Sequence, residues 1–197
     1  MTPICSAQEA QERQTFLALM WALSRPGEAK PFGSENGLEN MRVANSAMQG
    51  LEYVGEAVLD LETSFYTKDP GLRQRFERRG ARFLGPEQAA YQFYPAVGER
   101  ELASLREAPV GTLLSPEQSA TVVVRCAFER GLKLQLSGPG VKDLKQIQVN
   151  GPPRAFWALR EERVSFPLGW DVFLVSSTGN KHRVVGIPRS TNVEVVG

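Results

Sequence analysis

The feature that most constrains the fold is a two-residue alternation running from Ala120 to Leu136. Ala120, Val122, Val124, Cys126 and Phe128 alternate with Thr121, Val123 and Arg125, and the period resumes with Leu132, Leu134 and Leu136 against Lys133 and Gln135. Period two belongs to strands, whose successive side chains point to opposite faces of a sheet. Between the two runs lies Glu129-Arg130-Gly131, which reads as a turn, so the segment predicts a β-hairpin. A sheet that contains a hairpin is mixed rather than purely parallel.

Helical signals dominate the first half. Ser6 and Glu9 have capping-box spacing, with a hydroxyl for the first free N–H groups and a carboxylate three residues on. Phe16, Leu19, Met20 and Leu23 follow at helical spacing, which predicts one buried face. Pro26-Gly27 ends that helix, because Pro26 disfavours helical geometry at Arg25. Residues Ala29 to Asn40 read as a loop around Pro31, Gly33 and Gly37. Met41, Ala44, Met48, Leu51 and Val58 fit a second helical face, weakened by Gly50 and Gly55. Thr63 to Thr67 predicts a strand, and Asp69-Pro70 starts a helix that buries Leu72 and Phe76 and ends at Gly80. Short strands are expected at Ala81 to Leu84 and Tyr91 to Tyr94, with a short helix between Gly98 and Ala108.

Beyond the hairpin, Lys145 to Val149 reads as a strand and Pro152-Pro153 opens a helix to about Arg163 that buries Phe156 and Leu159. Trp170 to Ser176 and Arg183 to Ile187 read as the last two strands. Helices and strands alternate as in crossover units on a sheet. The expected fold is therefore α/β with a mixed sheet, and no repeat or linker divides residues 1–197, so they form one domain.

Composition narrows the function by exclusion. Hydrophobic residues are 42% and charged residues 23% of the 197, so the chain can build a real core. The formal net charge is +1, which gives no global attraction to nucleic acid or to an anionic membrane. The run Phe16 to Leu23 is too short to span a bilayer, and Met1 to Gln14 shows no secretory pattern. Cys5 and Cys126 make neither a metal spacing nor a disulfide framework, so a cytoplasmic chain with free thiols is expected.

His182 is the sole histidine, so any triad needs it as base. Beside Lys181 and Arg183 it reads as a solvated turn histidine. No metal site and no catalytic set emerge. Asp60 and Glu62 are close enough in sequence to share a proton, but a solvated junction is the reading adopted. Ser137, Gly138 and Gly140 surround Pro139 in a small-residue turn. Such a turn brings backbone N–H groups near a phosphate, although Pro139 removes one donor and a tight turn between strands explains the same residues. Arg25 and Arg189 each neighbour a proline, and an arginine on a fixed loop can fork onto a phosphate or carboxylate, or pair within the protein. Arg25, Ser137, Gly138, Gly140 and Arg189 are thus the candidate anion-binding residues, and Arg189→Ala is expected to weaken binding while leaving the fold intact. Asp171 caps or pairs near its strand start. Phe156, Trp157, Phe166 and Trp170 belong to the core or, in part, to an oligomer interface.

Six stretches, in this order and spacing, resemble the PhnH family, the H subunit of the bacterial carbon–phosphorus lyase. They are Phe16 to Gly27 (ending Ser24-Arg25-Pro26-Gly27), Leu59 to Thr63, Pro116 to Thr121, Leu136 to Gly140, Phe166-Pro167-Leu168-Gly169-Trp170-Asp171 and Ile187-Pro188-Arg189-Ser190-Thr191. The resemblance implies an α/β/α sandwich similar to a reduced pyridoxal-phosphate-dependent transferase without the cofactor, and no lysine here stands in a Schiff-base context. It also implies a homodimer that assembles with the G, I and J subunits. That complex uses ATP and an alkylphosphonate to form ribose 1-methylphosphonate 5-triphosphate. No catalytic residue carries over. A nucleotide- or phosphonate-binding protein with its own anion site is the alternative, and a self-contained pyridoxal-phosphate enzyme is the third reading.

Overall fold

The computed structural model describes residues 6–33 and 46–196. Cys5, the Met41 and Ala44 part of the second helical face, and residues 34–40 of the expected loop lie outside the described residues. The helices are α1 (Ala7–Ser24), α2 (Ser46–Val58), α3 (Pro70–Arg78), α4 (Glu99–Glu107) and α5 (Arg154–Arg163). The strands are β1 (Lys30–Phe32), β2 (Ser64–Thr67), β3 (Arg82–Phe83), β4 (Tyr91–Tyr94), β5 (Thr121–Arg125), β6 (Ala127–Ser137), β7 (Lys145–Asn150), β8 (Asp171–Thr178), β9 (Lys181–Ile187) and β10 (Asn192–Val196).

Local chemistry sets the helix starts. Ser6 accepts from Glu9 N at 3.2 Å while Glu9 accepts from Ser6 N at 2.7 Å, so the capping box forms in full. Asp69 accepts from Leu72 N at 2.8 Å with Pro70 in the first turn of α3.

Seven strands form one sheet in the order β1-β9-β8-β5-β4-β2-β3. The run from β3 to β8 is parallel, and β9 and β1 extend it antiparallel. The sheet is mixed, as expected, but the antiparallel part comes from β8–β9 rather than from the expected hairpin. Each central strand feeds both faces by alternation. Val122, Val124, Val172, Leu174, Val185 and Ile187 point into one core with α4 and α5. Val123, Phe173, Val175 and Val184 point into the other with α1, α2 and α3. Helices therefore cover both faces.

The hairpin itself is corrected. The chain leaves the large sheet at Cys126, and β6 runs unbroken through Glu129-Arg130-Gly131. Phe128 and Leu132 both register with Val149, so the three residues between them bulge out of the ladder, with φ of 67° at Glu129 and 88° at Gly131. The turn signal was real but marks a bulge. β6 pairs antiparallel with β7 and β10 in a separate three-stranded sheet that packs on the α4/α5 side. Neither this second sheet nor β10 was expected, and β1 lies inside the expected loop.

The buried face of α1 also differs. Thr15, Ala18, Leu19 and Ala22 are buried, whereas Phe16, Leu17 and Met20 are 46%, 55% and 51% exposed. A Cβ on Gly186 of β9 would lie 2.6 Å from the Ala22 carbonyl, so α1 lies close against the sheet at Ala22.

Candidate functional site

The structure gathers three of the candidate segments by their backbones. Gly138 O accepts from Val141 N at 3.1 Å, closing the turn. A Cβ at Gly140 would lie 2.9 Å from Pro26 Cδ and 3.0 Å from Ser24 O, and one at Gly138 would lie 2.7 Å from Ser190 O. The Ser137–Gly140 turn thus sits between the end of α1 and the segment after β9.

The two arginines diverge from it. Arg189 donates from Nε to Asp171 Oδ1 at 3.3 Å, from Nη2 to Oδ2 at 2.8 Å and from Nη1 to Pro116 O at 2.6 Å. Its backbone N adds a bond to Asp171 Oδ1 at 2.7 Å. The fork is engaged inside the protein, tying the end of β9 to the starts of β8 and the Pro116 turn. The same region holds Arg160, buried and donating to Pro188 O at 2.8 Å. Burial pushes its pKa down to about 10, opposed by the charge of Asp171. Arg25 lies instead over the Trp21 ring, 5.3 Å from its centroid. No carboxylate is within ion-pair distance of Arg25 among the described residues.

His182 is corrected from a solvated residue to a core one. It is 3% exposed, bonded through Nδ1 to Ser177 Oγ at 2.9 Å and packed against Phe32 and edge-on to Tyr53. Burial lowers its pKa. Its flanking Lys181 is exposed, and the strand alternation of β9 turns the imidazole inward. Asp60 accepts from Glu62 N and Thr63 N, both at 2.9 Å, and these bonds hold its carboxyl below the ordinary range. It closes a local turn rather than sharing a proton. Burial pushes the Cys126 thiol up to about 12, which leaves it protonated and unreactive. Phe156, Trp157 and Trp170 are core, while Phe166 is exposed. Among the described residues no three His, Cys, Asp or Glu side chains gather as a metal site.

An open parallel sheet usually binds ligands where its strand order reverses, at the carboxyl ends. Here that point lies between β2 and β4, which lead into helices on opposite faces. Lys68 spans it, donating to Arg100 O and lying 3.9 Å from Glu101. The protein's own ion pair stitches this crevice.

A wide concavity lies elsewhere among the described residues, between α1, β1, the β6 bulge and the β8–β9 turn, with a volume of about 1430 Å³. Trp21 and Lys30 form one side, with Lys30 Nζ 5.0 Å from the Trp21 centroid. Phe128 and Arg183 form the other, with Arg183 5.5 Å above the Phe128 ring and 2.7 Å from Glu129. A second groove of about 510 Å³ shares Phe128, Glu129 and Arg183 and continues to Lys133 and Gln148. Sequence reasoning missed these residues because they come from four distant segments. The available signal was the density of cations around the bulge at Arg130 and Lys133.

The family model described as "Bacterial phosphonate metabolism protein (PhnH)" matches residues 5–194. A protein of Stutzerimonas stutzeri named "Putative C-P lyase subunit protein HtxG" is 33% identical over 193 residues, covering 96% of this chain and 89% of that relative.

Proposed function

The chain belongs to the PhnH family of bacterial phosphonate metabolism, and on that premise we propose that it is a non-catalytic or accessory subunit of a carbon–phosphorus lyase complex. The observation that carries this reading is the family match across residues 5–194, supported by a relative whose name describes a C-P lyase subunit. The geometry is consistent with a role in contact rather than bond-making. Two polar groups singled out in the sequence are engaged in structure: Arg189 braces Asp171 and His182 packs in the core, and Lys68 crosses the switch point. A broad groove instead lies beside exposed apolar residues of α1.

In this reading the chain supports formation of ribose 1-methylphosphonate 5-triphosphate from ATP and an alkylphosphonate, works in the cytoplasm and needs no cofactor of its own. It pairs with a second copy and assembles with the G, I and J subunits. No helix among the described residues is long and apolar enough to cross a membrane. The reading also carries a fold reduced from the pyridoxal-phosphate-dependent transferases, which superposition of an experimental structure on those enzymes tests. Co-expression of a tagged chain with the G, I and J subunits of the same source tests the function. A stoichiometric assembly by native mass is expected, and a lone dimer that ignores those subunits overturns the reading.

A second reading keeps an anion site at the Ser137–Gly140 turn with Arg25. Its support is the packing of that turn on Ser24 and Pro26, together with an Arg25 head that meets no described carboxylate. Calorimetric titration with methylphosphonate is expected to show saturable binding that Arg25→Ala weakens. Equal binding by Arg25→Ala removes this site.

A further inference from the structure

We propose that the groove between α1 and the β6 bulge docks an acidic, apolar-anchored segment of a partner polypeptide, which on the subunit reading above belongs to another subunit of the complex. The first argument is charge. Lys30, Arg130, Lys133, Lys181 and Arg183 line the two joined grooves, against one carboxylate, Glu129. That carboxylate is already paired with Arg183 at 2.7 Å. Among the described residues no carboxylate lies within ion-pair distance of Lys30, Arg130, Lys133 or Lys181. The whole chain is only +1, so the positive charge is concentrated here and offset elsewhere. A field of one sign in a concave surface selects and steers a partner of the opposite sign.

The second argument is the apolar wall. Leu17 and Trp21 line the groove, and Phe16 and Met20 continue an exposed apolar stripe along α1. The buried face of α1 is taken by Thr15, Ala18, Leu19 and Ala22, which leaves this stripe outward. Contiguous exposed apolar side chains beside a polar rim mark a protein contact. Aromatic and aliphatic anchors at its centre supply affinity, and the rim cations supply partner choice.

The third argument is size and spread. Small-ligand pockets hold about 300–1,000 Å³, and this groove holds about 1430 Å³ before its continuation toward Lys133 is counted. Its cations are spread over three strands, β1, β6 and β9. A nucleic acid meets cations and aromatics too, but the aliphatic stripe of α1 has no counterpart in a phosphate backbone.

The test uses the whole chain and a labelled random copolymer of glutamate and tyrosine as probe, followed by fluorescence anisotropy. Saturable binding is expected, weakening steadily between 50 and 500 mM NaCl. Arg130→Glu/Lys181→Glu and Leu17→Asp/Met20→Asp should each weaken it about tenfold or more. The control Arg78→Glu/Arg100→Glu, on α3 and α4, should leave it unchanged. Circular dichroism melts establish that each variant folds, and the salt series on the unaltered chain stands without any variant. Absent or salt-independent binding of the copolymer overturns the proposal, as does equal loss in the control. Preferential binding of inorganic triphosphate or of a twenty-nucleotide thymidine strand also overturns it. The same variants enter the co-expression assay. If the unaltered chain assembles with the other subunits and Arg130→Glu/Lys181→Glu assembles equally well, the docking proposal fails while the subunit reading stands. If the copolymer binds as expected but no assembly forms, the subunit reading fails and the groove remains an acidic-polypeptide site.

Discussion

Arg189 sets its three guanidinium nitrogens against two carboxylate oxygens of Asp171 and the carbonyl of Pro116. The side chains are 17% and 19% exposed, so breaking the pair leaves a poorly hydrated charge. Arg189→Ala is therefore expected to destabilise the fold by about 2–4 kcal/mol, below the full range for a wholly buried pair. Arg189→Lys should recover only part of this, because one ammonium cannot reproduce a two-point fork. Urea unfolding of the three proteins measures it, and a loss under 0.5 kcal/mol for Arg189→Ala refutes the bracing role. This replaces the sequence expectation that the substitution spares the fold. A neighbouring proline signalled correctly that Arg189 is fixed, but not which way its head points, because its partners lie 18 and 73 residues away. His182 makes a second prediction. Its folded pKa is depressed by burial below the ordinary value near 6.5, so the unfolded chain binds the proton first as pH falls. The stability from keeping it neutral is complete above about pH 6.5 and is lost as pH falls through the folded value. Tm should drop on going from pH 7.5 to 5, and His182→Gln should show a shallower drop. An identical pH slope in both proteins contradicts this.

At the scale of elements, Gly55 decides how α2 meets α3. A Cβ there would fall 2.2 Å from Cε1 and Cζ of Phe76. That ring is held edge-on by Phe65 at 5.3 Å and tilted against Phe93 at 4.8 Å. It has little room to yield. Gly55→Ala gains up to about 1 kcal/mol of helix propensity, but overpacking costs about 1–3 kcal/mol, so net destabilisation is expected in chemical unfolding. A stabilised variant shows that the interface relaxes. The glycines that weaken α2 as an isolated helix are what let it pack. The same contrast explains which elements could be read from the sequence. Capping at Ser6 and Asp69, the short helix after Gly98 and the strand Tyr91–Tyr94 depend on neighbours in sequence, and their chemistry was visible there. The pairing of β6, the buried face of α1 and β1 within a loop depend on distant segments. The alternation from Ala120 to Leu136 correctly signalled strands, but period two carries no information about which sheet a strand joins.

At the scale of the molecule, one sheet separates two cores. Val122, Val123 and Val124 contribute alternately to both, so neither core can dissolve without stripping the strands that floor the other. The three-stranded sheet packs into only one of them through Leu134, Leu136 and Val149. Whether it belongs to the same cooperative unit follows from that contact: its buried residues share a cluster with Trp170 and Val172, so it should not melt early. Trp157 and Trp170 lie in this core, and in a Trp21→Phe background their fluorescence reports it alone. Leu72 lies in the opposite core. Leu72→Ala and Leu134→Ala should each cost about 2–5 kcal/mol. If the sheet couples the layers, Leu72→Ala lowers the fluorescence midpoint by as much as the far-UV dichroism midpoint, although it touches neither tryptophan. A fluorescence midpoint that stays in place while dichroism shifts shows two layers unfolding separately. Coincident shifts make the sheet a rigid partition, so a partner docked along α1 and the β6 bulge would bear on elements from both layers at once.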